Sequence, residues 1–316
     1  MAIKATTRSD LMTGKTCLVT GATSGIGRVT ALELAHMGAN VVLAGRDPAR
    51  CAATAIDIRE ESRNPAVEYL VADLSSQDQV RRLAEEFKRD HQRLDVLVNN
   101  AGAVYMGRQY NAGGIEMTFA LNHLSYFLLT NLLLDVLCAS APARVVNVAS
   151  VAHQQAKLNL SDVHDPGRYF GFRAYSRSKL CNVLFTYELA RRLEGTGVTA
   201  NTLHPGLVAT RFLANNGALG RFLNFLLGIK GISVEDGART SVYAASSPLM
   251  EGVSGKYLVK EQPVRSSKRS YDESLAAGLW ELSAKLTGIP STADTPSSPA
   301  AAIGPTGATG ATGSSG

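Results

Sequence analysis

The sequence predicts a single α/β domain in which one mainly parallel sheet is doubly wound, with helices on both of its faces. Three observations lead to this prediction. Short β-branched runs alternate along the chain with longer stretches whose apolar residues recur at helical spacing. A glycine-rich turn directly follows the first of these runs and opens into a helical stretch. The chain has 316 residues, of which 45% are hydrophobic and 19% are charged, so it can bury one large core.

Seven strands are predicted in order along the chain. They are "TCLVT" (16–20), "NVVLA" (40–44), "VEYLV" (67–71), "DVLV" (95–98), "ARVVNVA" (143–149), "VTANTL" (198–203) and "GKYLV" (255–259). Stretches such as "GRVTALELAHMG" and "SQDQVRRLAEEFKRD" lie between them and have helical periodicity. Strands that alternate with helices in this way form right-handed βαβ units, and such units build a parallel sheet.

The most apolar window of the chain, residues 119–139, is long enough to cross a bilayer. It contains Asn122, His123, Asn131 and Asp135, which are costly inside a membrane, so a buried helix is predicted instead. The N-terminal residues lack an apolar core of the length that a signal peptide has. We therefore expect no stable membrane insertion.

Composition shifts divide the chain into three parts. We assign residues 1–12 to an N-terminal arm, residues 13–290 to the α/β domain and residues 291–316 to a tail. The tail lacks aromatic residues and carries glycine at every third position from 304 to 316. So few triplets cannot sustain a collagen triple helix, and the tail is predicted to be disordered or an artificial linker.

Charge and cysteine usage narrow the class of protein. The net charge is +5, but the basic residues are dispersed and form no Lys/Arg tract, so no nucleic-acid partner is expected. The four cysteines form no CxxC pair and are interpreted as free thiols of a reducing compartment, which predicts a cytoplasmic protein. His153 and His204 have no carboxylate or thiol partner at ligand spacing, so no metal is predicted.

The turn "TGATSGIGR" after the first strand has the features of a dinucleotide-binding loop. Gly21 permits the tight turn, Gly25 permits the main chain to approach a pyrophosphate, and Gly27 permits close contact between helix and strand. The pyrophosphate then lies at the positive N-terminus of the helix. A tight turn without a ligand is the alternative, but the position of the loop between a strand and an amphipathic helix favours the cofactor.

The end of the second predicted strand bears on the choice of nicotinamide cofactor. NAD selection requires an acidic residue there to hold the ribose 2′-hydroxyl, whereas an arginine accommodates a 2′-phosphate. Arg46 takes this place, Arg28 directly follows the third glycine, and the acidic Asp47 stands beside Arg46. We predict NADP(H) as the preferred cofactor, with NAD(H) left open.

Several linked motifs resemble those of the short-chain dehydrogenases/reductases and occur in the same order. They are "TGATSGIG", "ADL" (72–74), "NNAG" (99–102), "LNHLSYF" (121–127), "VVNVASVAH" (145–153), "YSRSK" (175–179) and "HPGLVATRF" (204–212). The resemblance covers about residues 13–290 and implies a Rossmann fold with oxidoreductase activity. Within this superfamily the chain is most similar to the retinol dehydrogenase group, and a light-dependent protochlorophyllide reductase is a less similar alternative.

The resemblance also implies roles for individual residues. It makes Tyr175 the acid/base, Lys179 its partner, Ser150 the hydroxyl that orients the carbonyl, and Asn122 the anchor of a water-mediated proton relay. It places Asp73 against the adenine, Asn99 beside the adenosine ribose and residues 205–210 at the nicotinamide. The predicted cofactor-binding residues are Gly21, Thr23, Ser24, Gly25, Ile26, Gly27, Arg28, Arg46, Asp73, Leu74, Asn99, Ala101, Gly102, Tyr175, Lys179, Pro205, Gly206, Val208 and Thr210.

Tyr175 and Lys179 stand four residues apart, so both lie on one face if they occupy the first turn of a helix. A free tyrosine has a pKa of about 10 and is a weak acid at neutral pH. A nearby ammonium and the positive charge of oxidised nicotinamide should both favour the phenolate and lower this pKa. Such pairs are usually surface pairs, but together with Ser150 and Asn122 the catalytic interpretation is preferred.

The segment 210–232 is rich in Phe and Leu and is interrupted by glycines. We predict an apolar lid over a hydrophobic, retinoid-like aldehyde, ketone or alcohol. A helix packed on the core and a peripheral membrane contact are the alternatives. A hypothesis of another class is a nucleotide-binding regulator or scaffold that lacks turnover. A homodimer is implied by the resemblance alone, since relatives often pair through the helices that begin near 116 and 175.

Overall fold

The computed structural model describes residues 10–165, 167–206 and 232–290. The strands in this part of the chain are β1 (Thr16–Thr20), β2 (Asn40–Gly45), β3 (Val67–Val71), β4 (Val96–Asn99), β5 (Ala143–Val148), β6 (Val198–His204), β7 (Tyr257–Val259) and β8 (Gln262–Val264). They form one sheet in the order β3-β2-β1-β4-β5-β6-β7-β8. All neighbouring strands pair in parallel except β7 and β8, which are antiparallel. The predicted fold class is confirmed.

The α-helices of the described residues are α1 (Gly25–His36), α2 (Pro48–Ser62), α3 (Gln77–Asp90), α4 (Met117–Phe119), α5 (Ser125–Leu132), α6 (Leu134–Ala139), α7 (Gly171–Arg192), α8 (Val234–Ser246) and α9 (Glu273–Thr287). A cluster of buried apolar side chains joins α1, α2 and α8 to one face of the sheet. A second cluster joins α3, α5, α7 and α9 to the other face. The sheet is therefore covered on both sides, as its β-branched, buried strands require.

The sequence-based count of seven strands is wrong, because the sheet has an eighth strand, β8. Lys260 and Glu261 form a two-residue turn after β7, with φ angles of 49° and 66°. This left-handed turn folds β8 back on β7 as a hairpin. The strand escapes detection because its three residues are exposed and include Pro263, which is tolerated at a sheet edge and shows no alternating pattern.

The strand order reverses direction between β1 and β4, since the chain moves outward from β1 to β3 and then returns to pair β4 on the other side of β1. Ligands of open α/β sheets bind in the crevice that forms at this point, outside the carboxyl ends of the strands. The loops that follow β1, β4, β5 and β6 all open at this edge. The predicted site residues on these loops are thereby brought to one side of the molecule.

The first part of the apolar window, residues 119–130, is largely buried, as predicted, whereas residues 131–139 are mostly half-buried and include the exposed Asp135. The window is not one continuous helix. A π-helical segment, Ala120–Leu124, joins α4 to α5, and a break at Leu133 separates α5 from α6. Among the helices that the structure describes, none combines the length and the apolarity needed to cross a membrane. The predicted lid lies outside the described residues except for Ile232 at its end.

The final helix, α9, packs across α5 and α7. The Trp280 ring lies 5.0 Å from the ring of Phe127 and 5.8 Å from that of Phe185. The faces of α5 and α7 that meet Trp280 are therefore covered within the chain itself. Pairing of two copies through these helices stays a prediction, and it would have to use other faces of them.

The predicted boundary between the N-terminal arm and the α/β domain lies after Met12. Met12, which was assigned to the arm, is buried, and its main-chain N–H donates to the carbonyl of Met37 at 2.8 Å. The ordered packing of the domain thus includes at least this residue of the predicted arm. Residues 1–9 and the tail lie outside the described residues.

Candidate active site

The loop between β1 and α1 requires glycine, because of its backbone angles and its close contacts with neighbouring main chain. Gly21 and Gly25 have φ angles of +65° and +57°, a region that other L-residues rarely adopt. A Cβ atom on Gly21 would lie 2.8 Å from the Cα atom of Ala101. A Cβ atom on Gly27 would lie 2.4 Å from the Gly21 carbonyl oxygen and equally close to the side-chain nitrogen (Nδ2) of Asn100. These contacts bring the main chain of the loop to the carboxyl end of β1.

The N-terminus of α1 has the chemistry that a phosphate group needs. Ser24 occupies the N-cap position with extended backbone, but its side chain makes no capping hydrogen bond, and the first turn holds no acidic residue. The first main-chain N–H groups of a helix lack partners within the helix, and they carry its positive dipole end. A pyrophosphate therefore fits here, and Gly25, Ile26 and Gly27 would hold it through their main-chain N–H groups.

Replacing Gly27 with alanine tests this packing. The new methyl group would overlap the Gly21 carbonyl oxygen, so we expect a loss of about 1–3 kcal/mol in the free energy of unfolding and weaker nicotinamide cofactor binding. The matched control is Gly107→Ala, because a Cβ atom there meets nothing within 4 Å. Thermal melting and cofactor titration of both variants make the comparison. Equal behaviour of the two variants would contradict the close packing described here.

Hydrogen bonds join the end of β1 to the loop after β4 at the crevice. The Thr20 hydroxyl oxygen accepts hydrogen bonds from the main-chain N–H groups of Asn100 and Ala101, at 2.9 and 3.1 Å. The Asn100 side-chain amide donates to the Thr20 carbonyl at 2.9 Å. Neither Thr20 nor Asn100 was singled out from the sequence. The available signal was a polar residue at the end of a buried strand, together with the paired asparagines of "NNAG".

The two arginines predicted to meet a 2′-phosphate differ in their surroundings. Arg28 forms an ion pair with Glu61 on α2. Arg46 is exposed at the end of β2 and hydrogen-bonds the side chain of Tyr105 from the loop after β4. The neighbouring Asp47 caps α2 by accepting a hydrogen bond from the Arg50 N–H at 3.2 Å. The acidic residue beside Arg46 is therefore engaged with the helix that follows it.

The predicted residues around the adenosine are only partly brought to the crevice. The Asp73 carboxylate accepts hydrogen bonds from the main-chain N–H and the hydroxyl of Ser75, at 3.0 and 2.8 Å, and Leu74 is buried. The Asn99 side chain is buried and donates to Thr130 at 3.0 Å and to Asn147 at 2.9 Å. A contact of Asn99 with the ribose would therefore fall to its main chain.

The helix that carries Tyr175 and Lys179 begins earlier than predicted. α7 starts at Gly171, so Tyr175 lies in the second turn and not in the first. Glycine is needed at this start because a Cβ atom on Gly171 would lie 2.4 Å from the carbonyl oxygen of Tyr105. The relation between Tyr175 and Lys179 is unaffected, since both stand on one side of α7 in successive turns. The Lys179 ammonium lies 5.8 Å from the centre of the Tyr175 ring.

Ser150, Tyr175 and Lys179 meet at the carboxyl end of β5. The Tyr175 hydroxyl is hydrogen-bonded to the side chain of Ser150, the residue that follows Ala149 after this strand. The buried Lys179 ammonium donates to the Val148 carbonyl at 2.8 Å and lies 5.6 Å from the centre of the Tyr126 ring. One hydroxyl, one phenol and one amine are thus assembled within a single turn of α7 and the end of one strand.

Asn122 lies in the π-helical segment and joins this group through its side chain. Both hydrogens of its amide are used, one by the Ala103 carbonyl at 2.9 Å and one by the Ser178 hydroxyl at 3.0 Å. Ser178, which was not singled out from the sequence, passes this contact on to the Tyr175 carbonyl at 2.8 Å. A Cβ atom on Gly102 would lie 3.2 Å from the Asn122 side-chain oxygen and 3.5 Å from the Lys179 nitrogen. The four predicted catalytic residues are therefore close together.

Burial shifts the pKa values of Tyr175 and Lys179 in the chain without cofactor. Burial raises the pKa of the Tyr175 hydroxyl, and its hydrogen bond to Ser150 offsets only part of that effect. Burial also lowers the pKa of Lys179 from its ordinary 10.5 to about 7. In the chain without cofactor, desolvation of the phenolate is therefore the larger effect on the Tyr175 pKa. The lowering expected from an ammonium together with oxidised nicotinamide stays a prediction for the complex with cofactor. Tyr175 carries its proton at neutral pH.

The remaining predicted cofactor residues lie at the end of β6. Pro205 and Gly206 directly follow His204, and Gly206 has a φ angle of +98°. Val208 and Thr210 lie outside the described residues. Burial lowers the pKa of His204 to about 4, so it is neutral at physiological pH. Among the described residues, no group of three or more His, Cys, Asp or Glu side chains could hold a metal ion.

The chain is similar in sequence to known dehydrogenases. A family model described as short chain dehydrogenase matches residues 15–218. Retinol dehydrogenase 14 of Homo sapiens is 42% identical over 302 residues, which cover 88% of each chain. Polyprenol dehydrogenase of Homo sapiens is 40% identical over 282 residues, covering 87% of this chain and 86% of its own.

Solved structures agree with these relatives. An uncharacterised protein from Mycobacterium paratuberculosis is 37% identical, with a TM-score of 0.71, and covers 89% of this chain and 97% of its own. The Pseudomonas aeruginosa RhlG/NADP active-site complex is 29% identical, with a TM-score of 0.62, and covers 80% of this chain and 97% of its own. The chain therefore belongs to the short-chain dehydrogenase family and is an oxidoreductase.

Proposed function

We propose that the protein is an NADP(H)-dependent oxidoreductase that interconverts apolar alcohols with their aldehydes or ketones. The observation that carries this proposal is the hydrogen bond between Ser150 and Tyr175, beside the buried Lys179, at the carboxyl end of β5. This group stands at the same edge of the sheet as the glycine loop. A donor of protons and a cradle for a dinucleotide are the two parts that carbonyl reduction needs.

Two residues of the chain, Ser150 and Tyr175, would orient the substrate and transfer the proton. The Ser150 hydroxyl would donate a hydrogen bond to the substrate oxygen and stabilise the negative charge that develops there. The Tyr175 hydroxyl would give its proton to that same oxygen during reduction and take it back during oxidation. Because the pKa of Tyr175 is raised, its hydroxyl keeps the proton until negative charge develops on the substrate oxygen. A bound nicotinamide would supply or accept the hydride.

Lys179 and Asn122 would support the proton on Tyr175. The Lys179 ammonium, one turn from Tyr175, favours the phenolate once the proton has left. With a pKa of about 7, Lys179 can itself bind or release a proton near neutral pH. Asn122 is held rigidly by Ala103 and Ser178, so it anchors the turn of α7 that carries Tyr175. These contacts support the acid/base role that the resemblance implies for Tyr175, and the relay role of Asn122 stays a prediction.

The preference for NADP(H) is proposed from Arg46. The neighbouring Asp47 caps α2, so Arg46 is the charged residue of this pair that we expect to meet a 2′-phosphate. Arg46→Asp should raise the Kd for NADPH about tenfold or more and change the Kd for NADH little. Arg50→Asp, an exposed arginine on the first turn of α2, is the matched control for the change in net charge. Unchanged NADPH binding in Arg46→Asp would remove this residue from cofactor selection.

An apolar substrate is proposed from the side chains that lead into the catalytic group. Phe170 and Phe172, just before Tyr175 in the chain, are 52% and 50% exposed, and Val151 directly follows Ser150 with 38% exposure. Exposed large apolar side chains close in sequence to the proposed catalytic residues are consistent with a surface that binds an apolar substrate. Two relatives of this chain carry the names of dehydrogenases of retinol and of polyprenol, both long apolar alcohols. We therefore favour a long, apolar substrate.

The test is oxidation of NADPH, followed by absorbance, against aldehydes that range from short ones to all-trans-retinal, with NADH measured in parallel. Values of kcat/KM that rise with the apolar length of the substrate would support the proposal. Tight NADPH binding without turnover of any aldehyde, and without oxidation of the matching alcohols, would contradict it. That outcome would favour the nucleotide-binding regulator instead.

A further inference from the structure

His153 is a fully buried residue that the proposed mechanism does not use. Its Nδ1 atom lies 2.7 Å from the main-chain oxygen of Ser150, and its Nε2 atom lies 3.1 Å from the main-chain nitrogen of Ser267. A main-chain N–H can only donate, so Nε2 accepts from Ser267. The hydrogen of the neutral ring therefore resides on Nδ1 and is donated to the Ser150 carbonyl. The ring of Tyr257 packs edge-on against the imidazole at 4.9 Å.

Ser267 belongs to a short segment after β8, residues 265–271, which we call the C-terminal turn. The Ser266 hydroxyl lies 2.7 Å from the hydroxyl of Tyr187 on α7, and the rings of Tyr187 and Tyr271 stack at 5.4 Å. Within the turn, the Ser270 hydroxyl donates to the Ser267 carbonyl at 2.6 Å. The N–H that meets His153 is therefore held on a support attached to the same helix that carries the catalytic tyrosine and lysine.

We propose that His153 is a positioning residue for the reaction, and that it sets Ser150 in place by linking the Ser150 carbonyl to the C-terminal turn. This inference rests on the proposed function, since it assigns a further residue to the same catalytic group. Ser150 lies directly after Ala149 at the open end of β5, where strand hydrogen bonds no longer hold the main chain. Its carbonyl receives both the His153 ring and the His153 main-chain N–H. A reacting hydroxyl displaced by about 1 Å can cost about a hundredfold in rate.

The sharpest test removes the hydrogen bond that the Ser267 N–H donates to His153. Ser267 has a φ angle of −63°, which is near the angle that proline requires, so Ser267→Pro fits the backbone angle at this residue. It deletes the N–H and puts a ring carbon in the place of the hydrogen, against the buried His153 ring. We expect kcat to fall about tenfold to a hundredfold with the Kd for NADPH nearly unchanged. The melting temperature should also fall, because the proline ring displaces the buried His153 ring. Ser267→Ala is the matched control, because it keeps the N–H and removes a buried hydroxyl that has no hydrogen-bond partner. It should retain the kcat of the wild type.

Two further variants separate positioning from general packing. His153→Asn retains a donor near the Nδ1 position and should keep more activity than His153→Leu, which has neither a donor nor an acceptor. In a Ser150→Ala background, Ser267→Pro should lower kcat no further, because the effect is argued to act through Ser150. An additional, independent loss in that background would overturn the proposal. So would a wild-type kcat in Ser267→Pro.

A measurement without turnover distinguishes this proposal from the proposed function. Nitrogen-15 NMR of the imidazole should show the hydrogen of His153 on Nδ1 in the wild type and in Ser267→Ala. In Ser267→Pro, which lacks the donor to Nε2, the share of this tautomer should fall. An Nε2-protonated wild type would overturn the proposal. Absence of turnover in the wild type, together with the expected tautomers, would count against the proposed function and leave the network established.

Discussion

Replacing Tyr175 with phenylalanine is expected to lower kcat about a thousandfold while the Kd for NADPH changes by no more than about twofold. The substitution removes the hydroxyl that bonds Ser150 and little else, since the ring keeps its place beside Lys179. Loss of one positioned general acid usually costs two to four orders of magnitude in rate. The measurement is steady-state reduction of the best aldehyde of the panel, with NADPH binding followed separately by titration.

The matched control for this prediction is Tyr243→Phe. Tyr243 lies on α8, which packs on the face of the sheet opposite to α7, so its hydroxyl has no route to the catalytic group. We expect wild-type turnover from this variant. If Tyr175→Phe instead retains turnover, then another residue donates the proton. If it loses NADPH binding, then the phenol serves the cofactor and not the reaction.

Replacing Lys179 with methionine is expected to abolish most turnover and, at the same time, to stabilise the folded protein without cofactor. The activity should fall about a hundredfold or more, because the amine that supports the phenolate is gone. The stability should rise because the wild-type chain buries an amine whose charged form is disfavoured there. We expect an increase of about 2–4 °C in Tm at pH 6.5, which corresponds to about 1 kcal/mol for a domain of this size.

The pH dependence of this gain has a definite direction. Burial lowers the pKa of Lys179 in the folded state to about 7, whereas an unfolded lysine titrates near its ordinary 10.5. Between these values the unfolded chain binds more protons at this position than the folded chain, so the stability of the wild type rises with pH. Below about pH 7 the full cost of the buried charge is present. The Tm difference between Lys179→Met and the wild type should therefore be largest near pH 6 and shrink toward pH 10.

Melting curves of both proteins across this pH range make the test, with Lys157→Met as the control. Lys157 is exposed, so its replacement should leave the pH dependence of Tm unchanged. A Lys179→Met protein that melts below the wild type at pH 6.5 would show that the hydrogen bond to the Val148 carbonyl outweighs the cost of burying the amine.

The sheet could be predicted closely from the sequence because its central strands are buried on both faces. Runs such as residues 16–20 and 143–149 need only β-branched and apolar residues to be recognised, and their parallel pairing follows from the βαβ alternation. β8 could not be recognised in the same way, because an exposed edge strand of three residues with a proline carries no periodic signal. The start of α7 was misplaced because Gly171 is required by a contact with Tyr105, which is distant in sequence.

The residues of the candidate site also differ in how well they could be predicted from the sequence. Residues that we propose to act through their own side chains, such as Ser150 and Tyr175, stand in recognisable motifs. Residues that act by holding others, such as Thr20, Ser178 and His153, depend on contacts between elements far apart in the chain. Proton affinities are harder still to infer, because the depth at which Lys179 is buried is a property of the packed structure.

The position of α9 has a consequence for how the protein is made. The chain completes α7 at Arg192, but Trp280, which covers the rings of Phe127 and Phe185, follows only in α9. During synthesis the growing chain therefore carries an uncovered apolar strip from the time α7 emerges until α9 has left the ribosome. Transiently exposed apolar surface of this kind is prone to aggregate and is bound by chaperones. A chain that stops before Glu273 would lack the Trp280 ring that covers Phe127 and Phe185.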